Sequence, residues 1–276
     1  MLRRKRRRLI PTANSTEKSA ATDETFDTLD EHTVDDGGVM DDTLAAIHLL
    51  LGRYHSGFAA MKLPSLVFWH QLYHIVSNRT AVDQSIYRMR NEGLIMTLRI
   101  TLQGPPATAI LLTKDYIAYM LQYSEQHRAT RIFAKGLPSL TSTPTVSKAA
   151  IVDAIQQLFH SKKRPPLPAT VLDEDIRHLV QAGFLVTTTA LDAQEEYSFG
   201  LPRLGLFITS VVKARAAITA LLNRAQYKEM LEVDMKKRKL TCSRLPMDFH
   251  LLDMEGVDLI RRLVSGSTCV VRLGDA

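Results

Sequence analysis

The chain has 276 residues, 45% of them hydrophobic, which is enough for one large domain or two to three small ones with real cores. Its formal charge of +6 favours an acidic partner, nucleic acid first and an anionic membrane surface second. With no secretory signal ahead of them, Cys242 and Cys269 read as reduced thiols in a nuclear or cytosolic protein, and no apolar run is expected to span a membrane, because Lys213 and Arg215 break the nearest one, Gly205 to Leu222.

Arg3-Arg4-Lys5-Arg6-Arg7-Arg8 opens the chain, and no apolar stretch follows it as a signal peptide requires. Successive cations repel one another, so the run fits a nuclear import signal or a nonspecific nucleic-acid arm. Pro11 to Asp42 is rich in Ser, Thr, Asp and Glu with almost no apolar periodicity, and is expected to be disordered. Thr43 to Tyr54 predicts a helix with Leu44, Ile47, Leu50 and Leu51 on one face. Ser65 to Val76 predicts a second, with Leu66, Trp69, Leu72, Tyr73 and Val76 inward and Trp69 as a core anchor. Ala81 to Glu92 predicts a third, carrying Val82, Ile86 and Met89 inward, with Thr80 as its N-cap and Gly93 as the left-handed residue that ends it. Leu94 to Ile100 reads as a strand, Gly104-Pro105-Pro106 as a turn, and Ala109 to Leu112 as the returning strand. A helix followed by a two-strand hairpin is the last part of a winged helix, whose helix lies in the DNA major groove while the hairpin touches backbone.

The pattern recurs. Gln181-Ala182-Gly183-Phe184-Leu185-Val186 repeats Asn91-Glu92-Gly93-Leu94-Ile95-Met96, and Val264-Ser265-Gly266-Ser267-Thr268-Cys269-Val270-Val271 repeats it more loosely. Helix-period runs precede each glycine: Leu172, Ile176 and Leu179, then Met254, Val257, Ile260 and Val264. The spacing, about 90 and then about 83 residues, is that of a small domain rather than a short solenoid repeat. The fold expected is therefore α+β and mainly helical: three tandem winged-helix domains with short β-hairpin wings, over 43–114, 115–200 and 201–276, behind a tail over 1–42.

In the second unit, Lys114 to Tyr123 and Val146 to His160 predict helices around a loop from Leu137 to Thr145. Thr170 to Ala182 is the equivalent of the groove-reading helix, but its Asp173, Glu174 and Asp175 would repel phosphates, so this unit is expected to contact protein or act as a spacer. Leu201 to Leu231 is a long helical region broken near Asn223. Its solvent side is expected to collect Arg203, Lys213, Arg215, Arg224 and Lys228, followed by Lys236-Lys237-Arg238-Lys239, as a phosphate-facing surface. Arg224 and Lys228, four apart, would share a face. The fallback surface is Arg79, Arg88 and Arg90 of the first unit. Met247 to His250 reads as a short extended piece, and with the chain stopping at Ala276 a full second wing strand is expected to be missing from the third unit.

Catalytic signatures are absent from the sequence. There is no Gly-x-Gly-x-x-Gly, Walker-type loop, His-Arg-Asp loop or Ala-Pro-Glu, and Asp248-Phe249-His250 imitates the kinase Asp-Phe-Gly without its glycine. Cys242, His250 and Cys269 lack zinc-site spacing, so no metal, cofactor or catalytic residue is expected.

With these residues in place, the chain resembles the serine/threonine-protein kinase 19 family. The matching pieces run from Leu63-Pro64 to Arg79-Thr80, through Glu92-Gly93 and Leu112-Thr113-Lys114-Asp115-Tyr116, to Ile176-Arg177-His178-Leu179-Val180-Gln181-Ala182-Gly183. They continue with Phe207-Ile208 to Lys213-Ala214-Arg215, Ala225-Gln226-Tyr227-Lys228-Glu229 and Val271-Arg272-Leu273. The resemblance implies three tandem winged helices that bind double-stranded DNA in the nucleus, no kinase activity despite the name, and a role in transcription-coupled repair at stalled RNA polymerase. By position it assigns DNA contact to Lys213, Arg215, Arg224 and Lys228, and it implies RNA polymerase and repair-complex proteins as partners, with no membrane. A protein–protein adaptor without DNA contact, and an atypical kinase, are the alternatives.

Overall fold

In the computed structural model, which describes residues 41–102, 106–124, 127–163, 165–188, 195–266 and 268–274, one order of elements runs through the chain three times. Each pass is mainly helical and closes on a three-stranded antiparallel sheet whose hairpin comes last. The basic run Arg3 to Arg8, the tail around it and Gly104-Pro105 lie outside the described residues.

The first pass begins with α1 (Asp42–Ala60), capped by Asp41, whose carboxylate accepts the Thr43 amide. Ile47, Leu50, Leu51, Tyr54 and Phe58 recur at three and four and are buried. Then come β1 (Val67–Phe68), α2 (Trp69–Leu72), α3 (Arg79–Asn91), β2 (Ile95–Ile100) and β3 (Ala107–Leu112). The predicted helix over Ser65 to Val76 is thus mostly not helical. Val67 and Phe68 pair with Ile110 and Ala109, and the Gln71 side chain takes the Phe68 amide at 2.9 Å, so only one turn of helix remains. Trp69 sits half-buried at the edge of the core and donates Nε1–H to Asp83 at 2.9 Å, rather than anchoring the interior. Asn78, not Thr80, caps α3, accepting the Ala81 amide at 3.1 Å. Gly93 ends it at φ 74°, as its lack of Cβ allows. β2 and β3 pair from Ile95 with Leu112 to Ile100 with Ala107.

The second pass adds α4 (Thr113–Ser124), α5 (Arg128–Gly136), a 3-10 turn at Leu137–Leu140, β4 (Thr145–Ser147), α6 (Lys148–Ser161), α7 (Ala169–Ala182), β5 (Leu185–Thr188) and β6 (Glu196–Phe199). Ser147 caps α6 by accepting the Ala150 amide at 3.2 Å.

The third pass is α8 (Leu204–Arg224), β7 (Glu229–Leu231), α9 (Glu232–Lys237), α10 (Met247–Gly256), β8 (Ile260–Ser265) and β9 (Thr268–Leu273). Three expectations fail here. Met247 to His250 is not extended but opens α10, started by Pro246 at the cap position. That helix stops at Gly256, with Asp258 taking the positive φ of 57°, and Ile260 to Val264 leave the helical run for β8. Gly266 consequently turns the hairpin, and the second wing strand exists as β9, paired from Ile260 with Leu273 to Ser265 with Thr268. The third failure concerns α8, which at 21 residues and a mean hydropathy of 1.5 is long and apolar enough to cross a membrane. Its buried face, Phe207, Val211, Ala214, Ile218 and Leu222, is occupied by protein.

The first two sheets share one core, which the third pass joins through its helices. One apolar cluster runs from α1 through the second pass to Phe207 and Phe249. Phe58 and Phe68 of the first pass each lie 5.5 Å from Phe207 of the third, and Tyr54 meets Phe249 edge-on at 5.1 Å. A smaller cluster around Ile218, Met235, Leu251 and Val271 belongs to the third pass alone.

Candidate nucleic-acid interface

Three helices occupy the place before a hairpin, and they present very different outer faces. On α3, Gln84, Tyr87, Arg88 and Asn91 are exposed at three- and four-residue spacing, a polar stripe able to lie along a groove. Arg88 is held by Asp41 at 2.6 Å and approaches Glu92 at 3.9 Å. Arg79 lies 5.2 Å over the Tyr73 ring with its guanidinium exposed. Arg90 turns inward: it is 6% exposed, and Nε and Nη2 donate to the carbonyls of Thr141 and Ser142 at 3.4 and 2.6 Å. It ties the first pass to the second and is not placed for a phosphate.

α7 is acidic outside, as its sequence says. Asp173 pairs with Lys148 at 2.9 Å, and the buried Asp175 with Arg128 at 2.8 Å. α10 has almost no outer face, since Met247, Phe249, His250, Leu251, Asp253 and Met254 are all buried. It packs against α2 of the first pass, where Gln71 Nε2 donates to the Phe249 carbonyl at 3.1 Å. A helix enclosed in this way cannot enter a groove.

The basic segment divides in two. Arg215 is not on the solvent side: it is 13% exposed and grips Asp253 side-on through Nε and Nη2, both at 2.7 Å. Asp253 is wholly buried, and His70 Nε2 meets the same carboxylate at 3.0 Å. Burial alone would raise the Asp253 pKa, but the hydrogen bonds from His70 and Arg215 outweigh it and hold the group below its ordinary value. Lys236 is shared by Glu232 and Asp248 at 2.7 and 3.1 Å, and Lys237 meets Asp234 at 2.9 Å. Against these, Lys213, Arg224, Lys228, Arg238 and Lys239 are exposed and have no carboxylate partner among the described residues. Arg224 and Lys228 do not share a helix face, because α8 ends at Arg224 and the chain reverses through positive φ at Tyr227 and Lys228.

Sequence reading misses an acidic–basic chain that joins the first and third passes. Arg53 reaches Asp248 at 2.6 Å, Lys236 links Asp248 to Glu232, and Arg262 bridges Glu232 to Glu255 at 3.4 and 2.7 Å. Arg53 and Asp248 alone lie 195 residues apart, so no local spacing signals it. The kinase-like Asp248-Phe249-His250 is absorbed into the same packing: Asp248 in the ion pairs, Phe249 in the aromatic cluster, and His250 buried with Nε2 2.8 Å from Ser243 Oγ. Among the described residues no group of three or more His, Cys, Asp or Glu side chains could hold a metal ion.

Among known proteins, residues 57–247 of this chain match the family described as "Inactive serine-threonine protein kinase 19". The chain is 28% identical over 215 residues to "Winged helix repair factor 1" of Xenopus laevis, covering 77% of this chain and 76% of that one. It is 26% identical over 230 residues to the Homo sapiens protein of that name, covering 83% and 84%. With the Dictyostelium discoideum protein the identity is 33% over 228 residues, covering 72% of this chain and 56% of the other.

Proposed function

We propose, for a chain that belongs to the inactive serine-threonine protein kinase 19 family, that it is a nuclear, non-enzymatic protein of three tandem winged helices that binds double-stranded DNA as a scaffold in transcription-coupled repair. The observation that carries this is the set of five exposed cations in the third pass, Lys213, Arg224, Lys228, Arg238 and Lys239, left without carboxylate partners among the described residues while Arg215, Lys236 and Lys237 beside them are neutralised. Unpaired cations of this kind address phosphates without reading bases. The relatives' names, winged helix and repair factor, support the fold and the setting. The nuclear assignment rests on Arg3 to Arg8, and the partners implied, RNA polymerase and repair-complex proteins, rest on the family resemblance. α8 is read as a core helix, since Arg215 needs Asp253 of the protein interior.

Salt titration of duplex binding tests the reading. Changing Lys213, Arg224 and Lys228 together to Glu should weaken binding to any duplex sequence alike and flatten the slope of log affinity against log salt by about 2.7, from roughly 0.9 per phosphate. An unchanged slope would move the surface to Arg79 and the outer stripe of α3. A second reading, a protein–protein adaptor, is favoured by the acidic face of α7 and the enclosure of α10, and takes the lead if the intact chain binds no duplex.

A further inference from the structure

We infer that the second pass carries a docking pocket for an acidic segment of a partner protein, anchored by a bulky apolar side chain, separate from any DNA surface. Between α5 and the end of α6 lies a cavity of about 320 Å³, at the lower end of the roughly 300–1,000 Å³ of ligand pockets and suited to one or two side chains. Ile132 of α5, Leu158 and Phe159 of α6 and Leu167 of the loop before α7 form its apolar floor, and all four are half-buried.

The rim is cationic. Arg128, Arg131 and Lys135 fall three and four apart along α5 and so share a face, while Lys162 stands at the C-cap of α6. The buried Asp175 accepts from Arg128 at 2.8 Å and fixes that guanidinium at the rim. Arg131, Lys135 and Lys162 are exposed, and no carboxylate partner reaches them among the described residues. Among the described residues no Asp or Glu lines the cavity.

An apolar floor beside three unpaired cations and one arginine held by Asp175 is the complement of a peptide in which Phe or Leu is flanked by carboxylates. The anchor gains by leaving water, and the carboxylates set orientation and encounter rate. Arginine forks add a geometric match to carboxylates. Duplex DNA fits less well, because its backbone brings phosphates and nothing apolar for the floor. On the outside of the same pass, Asp173 and Glu174 of α7 are exposed and would oppose it.

The probe is a pool of short fluorescein-labelled peptides with Phe or Leu at two positions one helical turn apart and Asp or Glu elsewhere, titrated with the full chain and read by anisotropy. Binding is expected, and should weaken at least about tenfold when the acids become amides, when Phe and Leu become Ser, or when the protein carries Arg131→Glu with Lys135→Glu. Both substituted residues are exposed, so Tm and duplex DNA affinity should stay unchanged. The proposal is overturned if the pool does not bind, if the Ser pool binds as tightly as its parent, or if the charge-reversed protein binds as before. An equal loss of duplex affinity in that protein also overturns it, and makes the pocket part of a nucleic-acid surface.

Discussion

Replacing Arg215 with Met distinguishes a strut from a phosphate contact. The guanidinium makes two hydrogen bonds of 2.7 Å to the wholly buried Asp253, whose other partner among the described residues is His70 at 3.0 Å. Met keeps much of the volume and removes the charge, so a buried carboxylate loses its main counter-ion. Breaking a buried pair from one side costs about 3–5 kcal/mol. In a folded unit of this size each kcal/mol moves Tm by about 2–4 °C, so a fall of about 6–20 °C is expected. Pairing Arg215→Met with Asp253→Leu should recover much of it, because the uncompensated charge is then gone as well. The pH dependence follows from the direction of the Asp253 shift. Its folded pKa lies below the ordinary 3.8, so its contribution is complete above that pH and fades as the pH falls through the folded value. In Arg215→Met burial is opposed by His70 alone, so the folded pKa rises and the loss of stability on acidification should shrink or reverse. Circular dichroism during heating and urea unfolding measures all three proteins, beside a salt titration of duplex binding in the cold. The reasoning is refuted if Arg215→Met leaves Tm within about 1 °C and instead flattens the salt slope by about 0.9.

The interior makes further demands. Burial, partly opposed by Asp253 and reinforced by Arg215, pulls the His250 pKa down to about 4. Unfolding releases that histidine to an ordinary value near 6.5, so stability should be held above that pH and fall by roughly 3 kcal/mol on the way down to pH 4; urea titrations at several pH values should show the slope, and His250→Gln should remove it. Gly93→Ala should destabilise by at least about 1–2 kcal/mol for the left-handed backbone alone, and the new Cβ would also stand 2.8 Å from the Pro138 carbonyl oxygen. Gly52→Ala, inside α1 with nothing within 4 Å, should instead stabilise by about 0.5–1 kcal/mol; calorimetry of the two glycine variants would show opposite shifts in Tm.

The legible parts of the chain are those settled within a few residues. The end of α3 can be read because a run of inward residues at helical spacing meets Gly93, and α7 ends at Gly183 for the same reason. In the third pass Asp258 takes the positive φ, a place where a non-glycine residue gives no warning, and Gly266 draws attention to a hairpin tip instead. Val67 and Phe68 look helical beside Leu66 and Trp69; only the partner strand, more than forty residues on, makes them extended. The candidate interface fares similarly. The excess of cations around Lys213 to Lys239 is visible at once, but Arg215 differs from Lys213 only by what lies across the fold, Asp253. The cavity beside α5 shows in local spacing only as the cations of α5, because Leu158, Phe159 and Leu167 meet that helix only once the chain is folded.

The aromatic cluster of Phe58, Phe68, Phe207 and Phe249 sets an order for synthesis. A growing chain makes Phe58 and Phe68 early, yet the side chains that cover them arrive with α8 and α10, near the end. The first sheet therefore leaves the ribosome with part of its interior open to water and waits for α8 and α10 to be made. Chains terminated early by a nonsense codon after Leu201 would carry that open aromatic surface permanently, and such surfaces favour aggregation and chaperone capture over a smaller working version of the protein.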